Sequence, residues 1–167
     1  MKVPSRKISL VAVVAAIAAG ALFALFREPA APAVTYTTLK GEKFTTADLR
    51  GKVVLVNFWA TDCAPCVEEM PKLVETYNEY RARGFETIAV SMSYDPPNLV
   101  LDYAEKHRLP FKVALDLHGD LMRNFDVQFT PTTFVIDKRG NIVKQYLGEP
   151  DFARLRALLE SKLGETS

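Results

Sequence analysis

Cysteine is almost absent from this 167-residue chain: there are two, Cys63 and Cys66, beside two histidines and one tryptophan. That scarcity speaks against a disulfide-rich scaffold, which draws its stability from several bridges. It speaks equally against a structural zinc site, which takes four nitrogen or sulfur ligands; only His107 and His118 remain to complete one, and they stand in no paired spacing. One-sided charge is lacking too. The formal net charge is +1, and no Arg/Lys cluster of the kind nucleic-acid binding requires is present, so nucleic acid is not an expected partner. There is no internal repeat.

What is present at the N-terminus is a run from Leu10 to Phe26 without a charge, preceded by Lys2, Arg6 and Lys7. Residues 1–27 read as a membrane anchor or a signal segment, and the length of the run favours an anchor. The basic residues would hold this end in the cytoplasm and send the remainder across the membrane. Residues 28–34, rich in proline and alanine, read as an extended linker, and 35–167 as one domain, long enough to bury a proper core.

Within that domain the pattern alternates. A small hairpin is expected around Tyr36–Leu39 and Lys43–Phe44, then a helical turn over Thr46–Leu49. Val53 to Trp59 is a near-continuous apolar run, as a strand buried on both faces requires. Ala64 to Arg83 carries apolar residues at helical period and stops at Gly84, with Pro71 predicting a kink. A second buried strand spans Phe85–Met92, a helix Pro96–His107, a short strand Lys112–Leu115 and a helix Gly119–Phe125. Two strands flank Arg139-Gly140, and Asp151 caps a last helix ending about Leu163. The order implies an α/β fold with a central mixed β-sheet flanked by helices.

The two cysteines fall at the junction of the first buried strand and the long helix, in Trp59-Ala60-Thr61-Asp62-Cys63-Ala64-Pro65-Cys66. A helix starting there offers unsatisfied N–H groups and the positive end of its dipole to the first sulfur, favouring thiolate over thiol. Pro65 sits in the first turn, where its missing N–H costs nothing. A bridge closing so short a loop constrains little of the unfolded chain, so the pair is better explained by chemistry than by stapling. Cys63 is the expected attacking thiol, with Cys66 deeper and resolving the mixed disulfide.

The stretch Val54 to Cys66 resembles the active-site strand and helix of thioredoxin-like proteins. Glu69 and Pro71, completing Cys-x-Pro-Cys-x-x-Glu-x-Pro, together with Leu49-Arg50-Gly51-Lys52 and Thr130-Pro131-Thr132-Thr133-Phe134-Val135-Ile136-Asp137, resemble the membrane-anchored TlpA/ResA group. The resemblance implies a thioredoxin-like fold with an N-terminal hairpin and a central helix–strand insertion. It further implies a cis Pro131 and Thr130 facing the sulfurs, where its backbone offers a bound strand hydrogen bonds. On this reading Thr130, Pro131, Asp62 and Trp59 bind substrate, with Trp59 packing under the site. No cofactor is expected.

Three departures from the family pattern matter. Asp62 stands where tryptophan is usual, and its carboxylate opposes a Cys63 thiolate. Asn57 occupies the place of thioredoxin's buried acid and cannot accept a proton. Ala64 replaces a frequent glutamate. Glu69 is then the nearest candidate for proton transfer during resolution, or else a helix-surface glutamate stabilised by the dipole. Weak thiolate stabilisation implies a reducing couple. The expectation is a monomeric disulfide reductase in the periplasm, anchored in the cell inner membrane. It would act on exported proteins of the apocytochrome c or copper-site maturation type and be recharged by a membrane electron donor. The alternative from another class is a copper metallochaperone holding Cu(I) through Cys63 and Cys66, although Met92 and Met122 read as core.

Overall fold

The computed structural model describes residues 12–15, 17–18 and 28–165. The anchor-or-signal reading of residues 1–27 lies for the most part outside that range. Among the described residues no helix is long and apolar enough to cross a membrane.

The β-branched run Val53–Trp59 forms strand β3 and is buried along its whole length, as is β4 (Phe85–Ser91). Such runs suit strands covered on both faces. With β5 (Lys112–Leu115), β6 (Thr132–Ile136) and β7 (Ile142–Leu147) they make one mixed sheet in the order β5-β4-β3-β6-β7. β3, β4 and β5 run parallel, while β6 is antiparallel to both β3 and β7. A separate hairpin pairs β1 (Thr35–Thr37) with β2 (Lys43–Thr45) and reaches the sheet edge through a bridge from Thr38 to Ala114.

Helices cover both faces, and the two-residue period of β3 sorts its side chains between them. Val53, Leu55 and Trp59 pack with α1 (Ala64–Tyr80), α2 (Pro97–Lys106) and α4 (Phe152–Gly164) through Met70, Leu73, Val100, Leu155 and Leu159. Val54, Val56 and Phe58 pack on the other side with Tyr36, Leu49 and the α3 segment (Asp120–Asn124) through Leu121 and Phe125. Asn57 shares the parity of Leu55 and Trp59, so it points at α1. That single fact of register places the polar centre described below.

The expected elements are all found, with three differences. α1 ends at Tyr80 and passes through a 3-10 turn, Arg81–Arg83, to Gly84, whose φ of 87° takes the left-handed conformation a helix stop needs. The same helix continues across Pro71 without interruption. The stretch read as a linker is docked: Ala30 bridges Asn141, and the Ile142 amide donates to the Pro29 carbonyl. Asp151 caps α4 as expected, accepting from the Ala153 and Arg154 amides.

Candidate active site

β3 ends at Trp59, and a tight turn closed by the Cys63 amide donating to the Ala60 carbonyl delivers the chain to α1. Cys63 is the N-cap of that helix and Pro65 lies in its first turn. Cys63 is half-buried and Cys66 completely buried, and the two are joined in a disulfide with their Cα atoms 5.2 Å apart. The outer sulfur is thus the one a large partner can reach. Among the described residues no group of three or more His, Cys, Asp or Glu is placed to hold a metal ion. Met92 is in the core, Met122 packs against it, and His107 and His118 are surface residues.

The Thr130–Pro131 peptide bond is cis. β6 pairs Thr132 with Phe58, and extending that antiparallel register two residues brings Thr130 opposite Ala60, beside the cysteine turn. Thr130 is half-buried and Pro131 buried. Trp59 requires a correction as a substrate-binding residue. Its indole is fully buried among Cys66, Met70 and Tyr103, so it supports the site from beneath and has no surface to offer a substrate. Asp62 is exposed.

Glu69 is the residue whose position the sequence left most open. It is no surface glutamate: one turn beyond Cys66 on the sheet-facing side of α1, it is fully buried. The Asn57 amide donates to its Oε1 at 2.7 Å and to Thr133 Oγ1 at 3.0 Å. Its Oε2 has no partner. Burial pushes the Glu69 carboxyl up to about 7, against the opposing hydrogen bond from Asn57. A buried carboxyl therefore faces β3 from α1, with Asn57 of β3 as its hydrogen-bond donor. A carboxyl titrating near neutrality one turn from a thiol can take up or release a proton as sulfur chemistry requires.

One contact escaped the sequence reading. Asp95, in the loop after β4, is buried and accepts from both the Thr61 amide, at 2.7 Å, and the Thr61 hydroxyl, at 2.6 Å. With the Met92 amide donating to the Trp59 carbonyl, this ties the cysteine turn to β4. The only signal in the sequence was an acidic residue before two prolines at a strand end.

A disulfide at a strand–helix junction, a cis proline beside it and a buried carboxyl behind it meet on one sheet end. Comparison with known proteins agrees. The Redoxin family model matches residues 27–159. The chain belongs to the Redoxin family. It is 35% identical over 130 residues to the thiol-disulfide oxidoreductase ResA of Bacillus thuringiensis subsp. konkukian, covering 78% of this chain and 75% of that protein. ResA of Geobacillus kaustophilus is 37% identical over 131 residues with the same coverage. Among solved structures, a thiol:disulfide interchange protein of the thioredoxin family from Chlorobium tepidum superposes with a TM-score of 0.75 at 29% identity, covering 83% of this chain and 98% of its own. This Redoxin-family chain is accordingly a ResA-like thiol-disulfide oxidoreductase with a thioredoxin-like fold, and Cys63–Cys66 is its redox-active disulfide.

Proposed function

We propose that the protein is an extracytoplasmic reductase of disulfides in exported proteins, with Cys63 as nucleophile, Cys66 as resolving thiol and Glu69 as proton carrier. The observation that carries this reading is the buried Glu69 carboxyl held by Asn57 one turn beyond Cys66.

In the reduced protein the Cys63 thiolate attacks a substrate disulfide, forming a mixed disulfide and releasing one substrate sulfur as thiolate. Glu69 in its ionised form takes the proton from Cys66, whose thiolate attacks Cys63 Sγ. The Cys63–Cys66 bond forms, the mixed bond breaks, and the second substrate sulfur leaves to be protonated. Two electrons pass to the substrate and the protein is left as the disulfide. A donor on the membrane side restores the dithiol, which the N-terminal run as an anchor makes natural. Thr130 and Pro131 line the approach of the substrate strand, whose backbone pairs with that of Thr130. Asp62, next to Cys63, disfavours a strongly stabilised thiolate and so a strongly oxidising couple.

Trapping tests the scheme. A Cys66→Ala protein should accumulate mixed disulfides with exported proteins through Cys63, resolved by non-reducing gels and mass spectrometry. Covalent partners no more abundant than in a Cys63→Ala control would defeat it. Glu69→Gln should leave the first attack intact and slow resolution about 100-fold, the lower end of the range for a positioned acid–base group.

A further inference from the structure

The end of the sheet that bears the disulfide carries an unpartnered apolar rim. Tyr94 is 59% exposed, Phe129 48% and Leu147 64%, and they lie on three different loops or strand ends. Tyr94 adjoins Asp95, which grips the cysteine turn. Phe129 directly precedes the cis Thr130–Pro131 bond. Leu147 pairs with Thr132 across β6 and β7. Strand order puts Tyr94 beyond β4 and Phe129 and Leu147 by β6 and β7, on the two sides of β3, whose end leads into the cysteine turn. Three loops converging with large apolar groups on one reactive bond form a docking surface rather than scattered exposed residues.

The unpaired charges around this rim are mostly acidic. Asp62, Glu68 and Asp126 are exposed here, and none has an ion-pair partner among the described residues. Three nearby cations are paired, Lys72 with Glu149, Arg123 with Asp120 and Arg154 with Asp151, while exposed Lys144, over the Tyr146 ring, has no carboxylate partner among the described residues. The opposite end of the sheet has the reverse character. There the Gly51 amide meets the Lys138 carbonyl and the Val53 amide meets that of Gly84, and exposed Arg50 and Arg81 have no carboxylate partner among the described residues. The unpaired carboxylates named here thus stand at the reactive end of the sheet and these two unpaired arginines at the other.

We infer that the rim docks extended, disulfide-bearing protein segments that carry positive charge and an apolar side chain close to the cysteine. This rests on the reductase reading and specifies its substrate class. Opposite charge steers such a segment to the site, and like charge turns others away. The apolar side chain covers the rim, and the segment's backbone lies along Thr130.

The test uses the full-length protein in non-ionic detergent, reduced, freed of reductant and mixed with one of three oxidised probes. Two are cyclic disulfide peptides identical but for two flanking lysines or two flanking glutamates, each with a leucine next to cysteine; the third is hydroxyethyl disulfide. Single-turnover rates are normalised to the hydroxyethyl disulfide rate of the same protein. At low salt the lysine peptide should react about 10-fold faster than the glutamate peptide, the lower bound for electrostatic steering. The ratio should fall toward one at about 1 M salt, where screening acts over roughly 3 Å. The Glu68→Gln, Asp126→Asn double variant should lose most of the preference, while Phe129→Ser should slow both peptides alike. Equal rates, or a faster glutamate peptide, overturn the proposal. Equal rates accompanied by dimerisation in sedimentation overturn it in favour of self-association through the rim. Failure to reduce even hydroxyethyl disulfide would instead strike at the reductase reading beneath it.

Discussion

Replacing Glu69 by glutamine should change how stability depends on pH in a direction the buried site dictates. Burial raises the Glu69 carboxyl from 4.5 to about 7. Below the lower value the group is neutral in folded and unfolded chains alike and imposes nothing. Between the two, the unfolded chain has released its proton and the folded protein still holds it, so folding stability falls as pH rises. Above the upper value the loss is complete. A displacement from 4.5 to about 7 corresponds to about 3 kcal/mol at roughly 1.4 kcal/mol per unit. Glutamine fits the same space, keeps an oxygen to accept from Asn57 and has no charge to bury. The expected result is a wild-type unfolding free energy that declines by about 3 kcal/mol more than that of Glu69→Gln across this window, with the variant the more stable of the two at alkaline pH. Urea titrations of the oxidised proteins at half-unit pH steps measure it. Parallel curves for the two proteins would refute the argument, because they would mean that burial at this position does not discriminate between the charged and neutral carboxyl.

Asn57→Ala removes the one hydrogen bond that favours the ionised Glu69. The pH midpoint for resolution, followed by single-turnover release of a fluorescent thiol, should therefore move upward, and a downward move would contradict the assignment. Asp95→Ala leaves the Thr61 amide and hydroxyl without their acceptor and should cost about 1–3 kcal/mol of stability, with Asp95→Asn losing less. Amide exchange at Thr61 should accelerate in Asp95→Ala, and unchanged protection there would show that the turn is held by other means.

The thiol pair and its neighbourhood were legible in the chain because their determinants are local. An apolar β-branched run, an abrupt end, two cysteines three apart and a proline in the first turn of a long amphipathic pattern specify a strand–helix junction. The cis bond before Pro131 followed only from resemblance to a family, since a lone threonine–proline pair carries no such information. Trp59 packs under the site as expected, but its lack of any surface for a substrate could not be read from the chain. An aromatic next to a reactive loop reads the same whether it faces solvent or core, and here the odd-numbered face of β3 turns it inward.

By itself the sequence determined a redox-competent disulfide at the carboxyl end of a central strand in an α/β domain, because secondary structure period and turn chemistry act over a few residues. Only the tertiary structure decided that Glu69 is a buried acid, that Asn57 holds it from the neighbouring strand, and that Asp95 clamps Thr61. It also decided that the unpaired Asp62, Glu68 and Asp126 stand near the apolar rim. Each of these depends on which face of one element packs against another, and on burial, which gives a carboxyl or a charge its energy. A glutamate three residues after a cysteine is a common pattern; a carboxyl closed off from water beside a disulfide exists only once α1 has been laid across β3.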